Sequence, residues 1–136
     1  MAAFLGTGSF VRRSVAAVSG LYDAVAGVML LAGRPLLARW FGVPLPDPPI
    51  HADLNGVFLL AVAAGYLIPY GHPDSREGRA YLWVMGPLLK GAGAAVFLID
   101  AYTRPSPPSY LLFAVSDGTL ALVTLWALLR GRNVEI

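Results

Sequence analysis

Four long apolar runs dominate the chain: Ser14 to Gly33, Leu54 to Tyr70, Ala80 to Ile99 and Tyr110 to Leu129. Each is close to the ~20 residues an α-helix needs to cross a hydrocarbon core of ~30 Å. The pattern predicts an all-α fold, a four-transmembrane-helix bundle. The polar stretches between the runs are too short to hold a separate soluble domain, so residues 1–136 read as a single integral membrane domain.

The connections have their own chemistry. Pro35 to Phe41 starts with a proline suited to a first helical turn and continues with apolar residues around Arg39, which predicts a short interfacial helix after the first span. Gly42 ends it. Val43 to Ile50 then holds four prolines (44, 46, 48 and 49) and reads as a stiff, extended connection. Thr103 to Ser109 holds three more prolines, making spans three and four tight antiparallel neighbours. Gly71 to Arg79 is short and polar. Its His72-Pro73-Asp74 triplet is the one that J-domain cochaperones use, but nothing around it resembles their soluble helical pair, and it reads as a turn.

Composition agrees with a membrane setting. The chain is 57% hydrophobic and 13% charged, with a mean hydropathy of +0.64, whereas an average soluble domain has roughly 25% charged residues. The absence of cysteine excludes disulfides, thiolate metal sites and cysteine nucleophiles. A net charge of +2 does not point to nucleic acid, because the arginines sit at the span boundaries, where topology alone would put them. With the N-terminus inside, the inner segments carry Arg12, Arg13, Arg76, Arg79, Arg130 and Arg132, against Arg34, Arg39 and Arg104 outside. That bias predicts cytoplasmic N- and C-termini. Nine arginines against one lysine, among abundant Ala, Gly and Pro, match a high-GC bacterial genome, so the expected location is the bacterial inner membrane. Arg12-Arg13 before an apolar stretch imitates a signal peptide, but Asp23 interrupts that stretch and no clean cleavage site follows, so the run reads as a retained helix.

Within the runs, isolated charges change the picture. Lys90 is the chain's only lysine and lies in the middle of the third run; Asp23 and Asp117 lie inside the first and fourth. At 1.5 Å per residue, Asp23 and Lys90 sit roughly 14–16 Å from the ends of their runs, and Asp117 about 10 Å below the outer surface. A charge at that depth costs roughly 2.5–3.5 kcal/mol on insertion scales, so such groups turn inward and find partners. Asp23, Lys90 and Asp117 are therefore expected to form a buried polar cluster. It is either a structural ion pair that fixes helix register or, since two acids outnumber one lysine, a ligand or proton site. Gly86-Pro87, just before Lys90, predicts a kink that could also act as a hinge. Toward the outside, His51, Asp53, Asn55 and Asp100 would form an acidic outer vestibule if the second and third helices meet, with Asp53 also suited to capping. Small residues in the first three spans, among them Gly20, Gly27, Gly56, Gly65 and Gly86, favour close helix packing, within one chain or between two copies.

No catalytic residue, metal-binding pattern or cofactor motif is found: there is no phosphate loop, no His-Glu-x-x-His and no Gly-x-Ser-x-Gly. Leu21-Tyr22-Asp23, Phe41-Gly42-Val43-Pro44, Leu54-Asn55-Gly56, Gly65-Tyr66-Leu67, the Gly86/Lys90 pair and Ser116-Asp117-Gly118 together resemble small four-helix bacterial membrane proteins of the DoxX-like kind, over Ser14 to Leu129. Some of those resemble small subunits of quinone-linked oxidoreductases; the resemblance carries over no catalytic residue. The leading expectation is a non-enzymatic accessory or interaction subunit, among membrane lipids and within a larger membrane complex or homo-oligomer. Two alternatives use the same cluster: a small proton- or cation-coupled transporter, and a lipid- or quinone-binding protein with Phe58, Phe97 and Phe113 as apolar walls.

Overall fold

Proline and glycine set the breaks between helices, and apolar length sets the helices themselves. The computed structural model describes residues 2–130, with side chains from Thr7 onward, and shows α1 (Ala2–Ala32), α2 (Arg34–Phe41), α3 (Ile50–Gly65), α4 (Leu67–Gly71) and α5 (Arg76–Trp83). A π-helical segment (Val84–Lys90), α6 (Gly91–Thr103) and α7 (Tyr110–Leu129) follow, and no strand forms among the described residues. Four stretches are long and apolar enough to cross a membrane: Thr7–Ala32, Ile50–Gly71, Arg76–Thr103 and Tyr110–Leu129. The all-α four-helix bundle expected from the runs is the observed architecture. Arg132, counted above for topology, lies outside the described residues.

Spans one to three are longer than their apolar runs suggest, because polar residues at their ends remain helical, whereas span four matches its run. Span two starts at Ile50, four residues before Leu54, with Pro49 in the N-cap position and no side-chain cap bond. Asp53 lies in this first turn but does not cap it. Within the same span, the helix breaks at Tyr66 between α3 and α4. Pro69 explains the position: it has no N–H to offer the Gly65 carbonyl, and its ring crowds that carbonyl. The Tyr66 N–H instead donates to the carbonyls of Ala63 and Val62. Span three meets a proline differently. Around Pro87 the chain widens into a π turn and remains helical from Arg76 to Thr103. At the outer boundary, α2 ends on Gly42 at φ 62, and the Gly42 N–H donates to the Ala38 carbonyl at 3.0 Å. Glycine adopts that left-handed conformation without a Cβ clash.

Packing follows the small residues. α1 lies against α3, α4 and α7; α7 lies against α5, the π segment and α6; α4 and α5 close the bundle at the end that holds the turn at 72–75. α3 and α6 are not packing partners. Gly27 and Gly56 sit back to back: a Cβ on Gly27 would fall 2.9 Å from the Gly56 carbonyl oxygen. A hydrophobic core forms in the half of the bundle nearer the turn at 72–75, where Ala16, Val62, Tyr66, Leu82 and Leu128 are buried against Tyr81 and Met85. The Tyr81 hydroxyl donates to the Val62 carbonyl at 2.5 Å, and its ring meets Tyr66 edge-on at 5.2 Å. The outward faces remain apolar; Val18, Leu21, Val25, Val96 and Leu122 are all exposed. A helix hydrophobic on all sides is what a lipid surround permits.

Candidate functional site

Lys90 is the last residue of the π segment, and its aim depends on that segment's fit. Gly86, one turn earlier, lies so close to α7 that an added Cβ would fall 2.4 Å from the Thr124 methyl carbon. Thr124 is itself buried, its hydroxyl turned back to the Leu120 carbonyl at 2.6 Å. The π segment packs on α5, α6 and α7 rather than on α1. The long lysine side chain therefore bridges to α1, where Nζ donates to Asp23 Oδ1 at 2.5 Å. Both residues are almost fully buried, Lys90 at 4% and Asp23 at 2% exposure. The Tyr22 ring covers the ammonium, with Nζ 4.9 Å from its centroid. Such a contact is worth about 2 kcal/mol or more when desolvated.

Asp117 is adjacent to this pair but outside it. It lies half-buried on α7 with Oδ2 toward α6, where a Cβ on Gly93 would meet it at 3.2 Å. It forms no ion pair within 4.0 Å among the described residues. Tyr22 links the two acids: its hydroxyl shares a hydrogen bond of 2.7 Å with Ser116 and lies beside the Asp117 carboxylate. The three expected cluster residues thus share one region, but the ion pair joins only two of them.

On the other side of Asp23, its second oxygen Oδ2, the Ser19 hydroxyl and the Tyr66 hydroxyl are all buried without a hydrogen-bond partner among the described residues. Ser19 and Tyr66 face each other, and Tyr66 is within electrostatic reach of Asp23. The break after α3 places Tyr66 there. An unpaired buried polar group costs about 1–3 kcal/mol, so Ser19 and Tyr66, which face each other, gain by bonding to one another.

Of the four vestibule residues, His51 and Asn55 share a cavity and Asp53 pairs with its wall residue Arg34, while Asp100 lies apart. Asp53 pairs with Arg34, whose Nη1 also donates to the Leu30 carbonyl at 2.9 Å. Asp100 pairs with Arg104 at 3.0 Å and accepts from Ser106, closing the end of α6 on itself. His51 and Asn55 line the cavity beside Arg34. The physical reason is the arrangement of spans: α3 packs on α1 and α6 on α7, and each acid finds an arginine near its own helix instead. The expected apolar walls divide in the same way. Phe97 and Phe113 meet at 5.6 Å within a cluster with Tyr110 and Phe41, whereas Phe58 is half exposed on α3. No group of three or more metal-ligating side chains forms among the described residues.

Arg12 is the charge whose role sequence reasoning missed. Counted only as a boundary arginine, it is 5% exposed and reaches the turn between spans two and three. Its Nε donates to the Pro73 carbonyl at 3.2 Å and its Nη2 pairs with Asp74, which also accepts from Ser9. The His72-Pro73-Asp74 turn thus ties span one to the inner loop. Ordinary partial burial acts to raise the Asp74 pKa, but the Ser9 hydroxyl and the guanidinium of Arg12, with Arg79 nearby, hold it below the usual carboxylate value. Compared with protein-family models, curated proteins and solved structures, the chain matches none.

Proposed function

We propose that this multi-pass protein is a non-enzymatic accessory or interaction subunit of the bacterial inner membrane, with cytoplasmic termini. The observation that carries this reading is the Lys90–Asp23 pair: the chain's one lysine is consumed internally, at 2.5 Å and a few per cent exposure, as a latch between spans one and three. A latch supplies rigidity rather than chemistry, and what a rigid apolar bundle then presents to the membrane is its lateral surface. Arginine-dominated basic usage supports the bacterial assignment, and the six-to-three boundary count supports the orientation. Mild-detergent affinity purification followed by mass spectrometry tests the reading. The expected result is a stoichiometric larger membrane protein that persists when Lys90 and Asp23 are jointly replaced by leucine. Purification of the chain alone would sink it.

One observation favours a second reading, a small proton- or cation-coupled transporter. Asp117 stays half-buried outside the ion pair, next to Tyr22 and Ser116, and so is a carboxylate available for binding. Proteoliposome uptake that depends on pH and is lost in Asp117→Asn would favour this reading over the accessory one.

A further inference from the structure

Where α1 ends and α2 turns across the membrane boundary, a cavity of about 260 Å³ opens between α1, α2, the start of α3 and the proline-rich connection. The site is half open; its walls are mainly apolar, with Leu30, Leu37 and Val43 among them, and three polar residues line it: Arg34, half-buried, and His51 and Asn55, both exposed. No carboxylate lines it. Asp53, itself outside the cavity walls, pairs with Nη1 of Arg34, which also donates to the Leu30 carbonyl; among the described residues Nη2 and Nε make no hydrogen bond. His51 and Asn55 lie on the first turns of α3, one turn apart, and are exposed. A concave apolar site with a few convergent polar groups is the usual form of a ligand site, though this one is smaller than the ~300–1,000 Å³ typical of drug-sized ligands. That size suits a headgroup and the first few methylenes of a chain, rather than a whole cofactor.

We infer that this cavity binds the phosphate-bearing headgroup of a membrane phospholipid. The guanidinium supplies a planar fork that matches phosphate oxygens, and Asn55 and His51 supply further donors to an oxyanion. The apolar walls receive the glycerol and upper acyl carbons. The setting is right for this ligand, because the cavity lies beside α2, whose Leu36, Trp40 and Phe41 are exposed at the same boundary. An amphiphile anchored there would pin α2 and the proline-rich connection against span two.

The test is a native mass-spectrometry titration of the full chain in detergent with three probes: phosphatidylglycerol, diacylglycerol and inorganic phosphate. The expected result is one saturable phosphatidylglycerol adduct and none with diacylglycerol, with binding about tenfold weaker in Arg34→Gln, the loss of one charge-assisted contact. His51→Ala with Asn55→Ala should weaken it severalfold while leaving the Arg34–Asp53 pair in place. Arg39→Gln, the same charge change on an exposed α2 position outside the cavity, should leave binding unchanged. Asp53→Asn breaks the ion pair but keeps Arg34, so binding should hold or tighten. Loss in Asp53→Asn equal to that in Arg34→Gln would mean that the pair merely supports the fold, and would overturn the inference. So would equal loss in Arg39→Gln, equal binding of diacylglycerol, or uptake of inorganic phosphate alone.

Discussion

Span one carries two ion pairs whose difference is instructive. At mid-depth, Asp23 meets Lys90 with both side chains at 5% exposure or less; near the inner end, Arg12 meets Asp74, with the arginine at 6% and the aspartate at 57%. The chemistry is the same, but the surroundings are not. Neither partner of the central pair can return to water if the other is lost; Lys90 would keep only the face of the Tyr22 ring, and Asp23 no charged partner among the described residues. In the inner pair, only the arginine is committed, and it has the Pro73 carbonyl as a second acceptor. The two pairs also tie different things: one joins spans one and three across the bundle, the other fastens a turn. Depth in the membrane, more than distance between the charges, decides how much each pair matters.

The strongest way to break that contrast is Lys90→Leu. It leaves the Asp23 carboxylate buried and alone, and should cost about 3–5 kcal/mol, the range for removing one partner of a buried pair. Unfolding in mixed micelles under increasing denaturing detergent would measure it. Asp23→Leu in the same chain should restore most of the loss. Asp117→Leu should not, because Asp117 is no partner of Lys90 at ion-pair distance. Restoration by either acid would mean that the lysine is shared between them.

A smaller effect is expected from the support of the central pair. In Gly86→Ala the new methyl would start 2.4 Å from the Thr124 methyl carbon, an overpacking that should cost about 1–3 kcal/mol. Thr124→Ser removes that carbon and should recover part of the cost in the double variant. Tyr81→Phe comes next. Losing the hydroxyl that donates to Val62 should cost about 0.5–1.5 kcal/mol in the same assay.

These contrasts also mark what was legible from residues alone. Spans show in hydropathy because length and apolarity are enough to define them, and a lone lysine among apolar residues announces a buried partner. Which acid it takes was not legible, since Asp23 and Asp117 differ in helix rotation, and a helix apolar on all sides carries no mark of its inward face. The break at Tyr66 follows from Pro69, a signal that was present but hidden in an uninterrupted apolar run. Gly86-Pro87 marks a distortion, which takes the form of a π turn packed closely on Thr124 of another span, a fit that the local sequence does not show. Asp100 lies apart from His51, Asp53 and Asn55 for a similar reason: residues at the same depth meet only if their helices pack closely, and α3 and α6 do not.

The smallest expected effect is at the inner pair. Asp74→Asn should change stability by no more than about 1 kcal/mol, because the aspartate is more than half exposed and solvent screens its attraction to Arg12. Its pH dependence is more telling than its size. The folded state holds the Asp74 pKa below the ordinary value of 3.8, so the stability it contributes is present above that value and is lost as the pH falls below it toward the folded-state pKa. Acidification through this window should release the turn at 72–75 from span one before the bundle opens. Limited proteolysis at Gly71 to Arg79, followed across acid pH, would show cleavage rising in the wild type, and already raised and flat with pH in Asp74→Asn. A turn that stays protected at acid pH in both would mean that the Arg12 bond to the Pro73 carbonyl suffices, and that the boundary pair contributes nothing the backbone does not already supply.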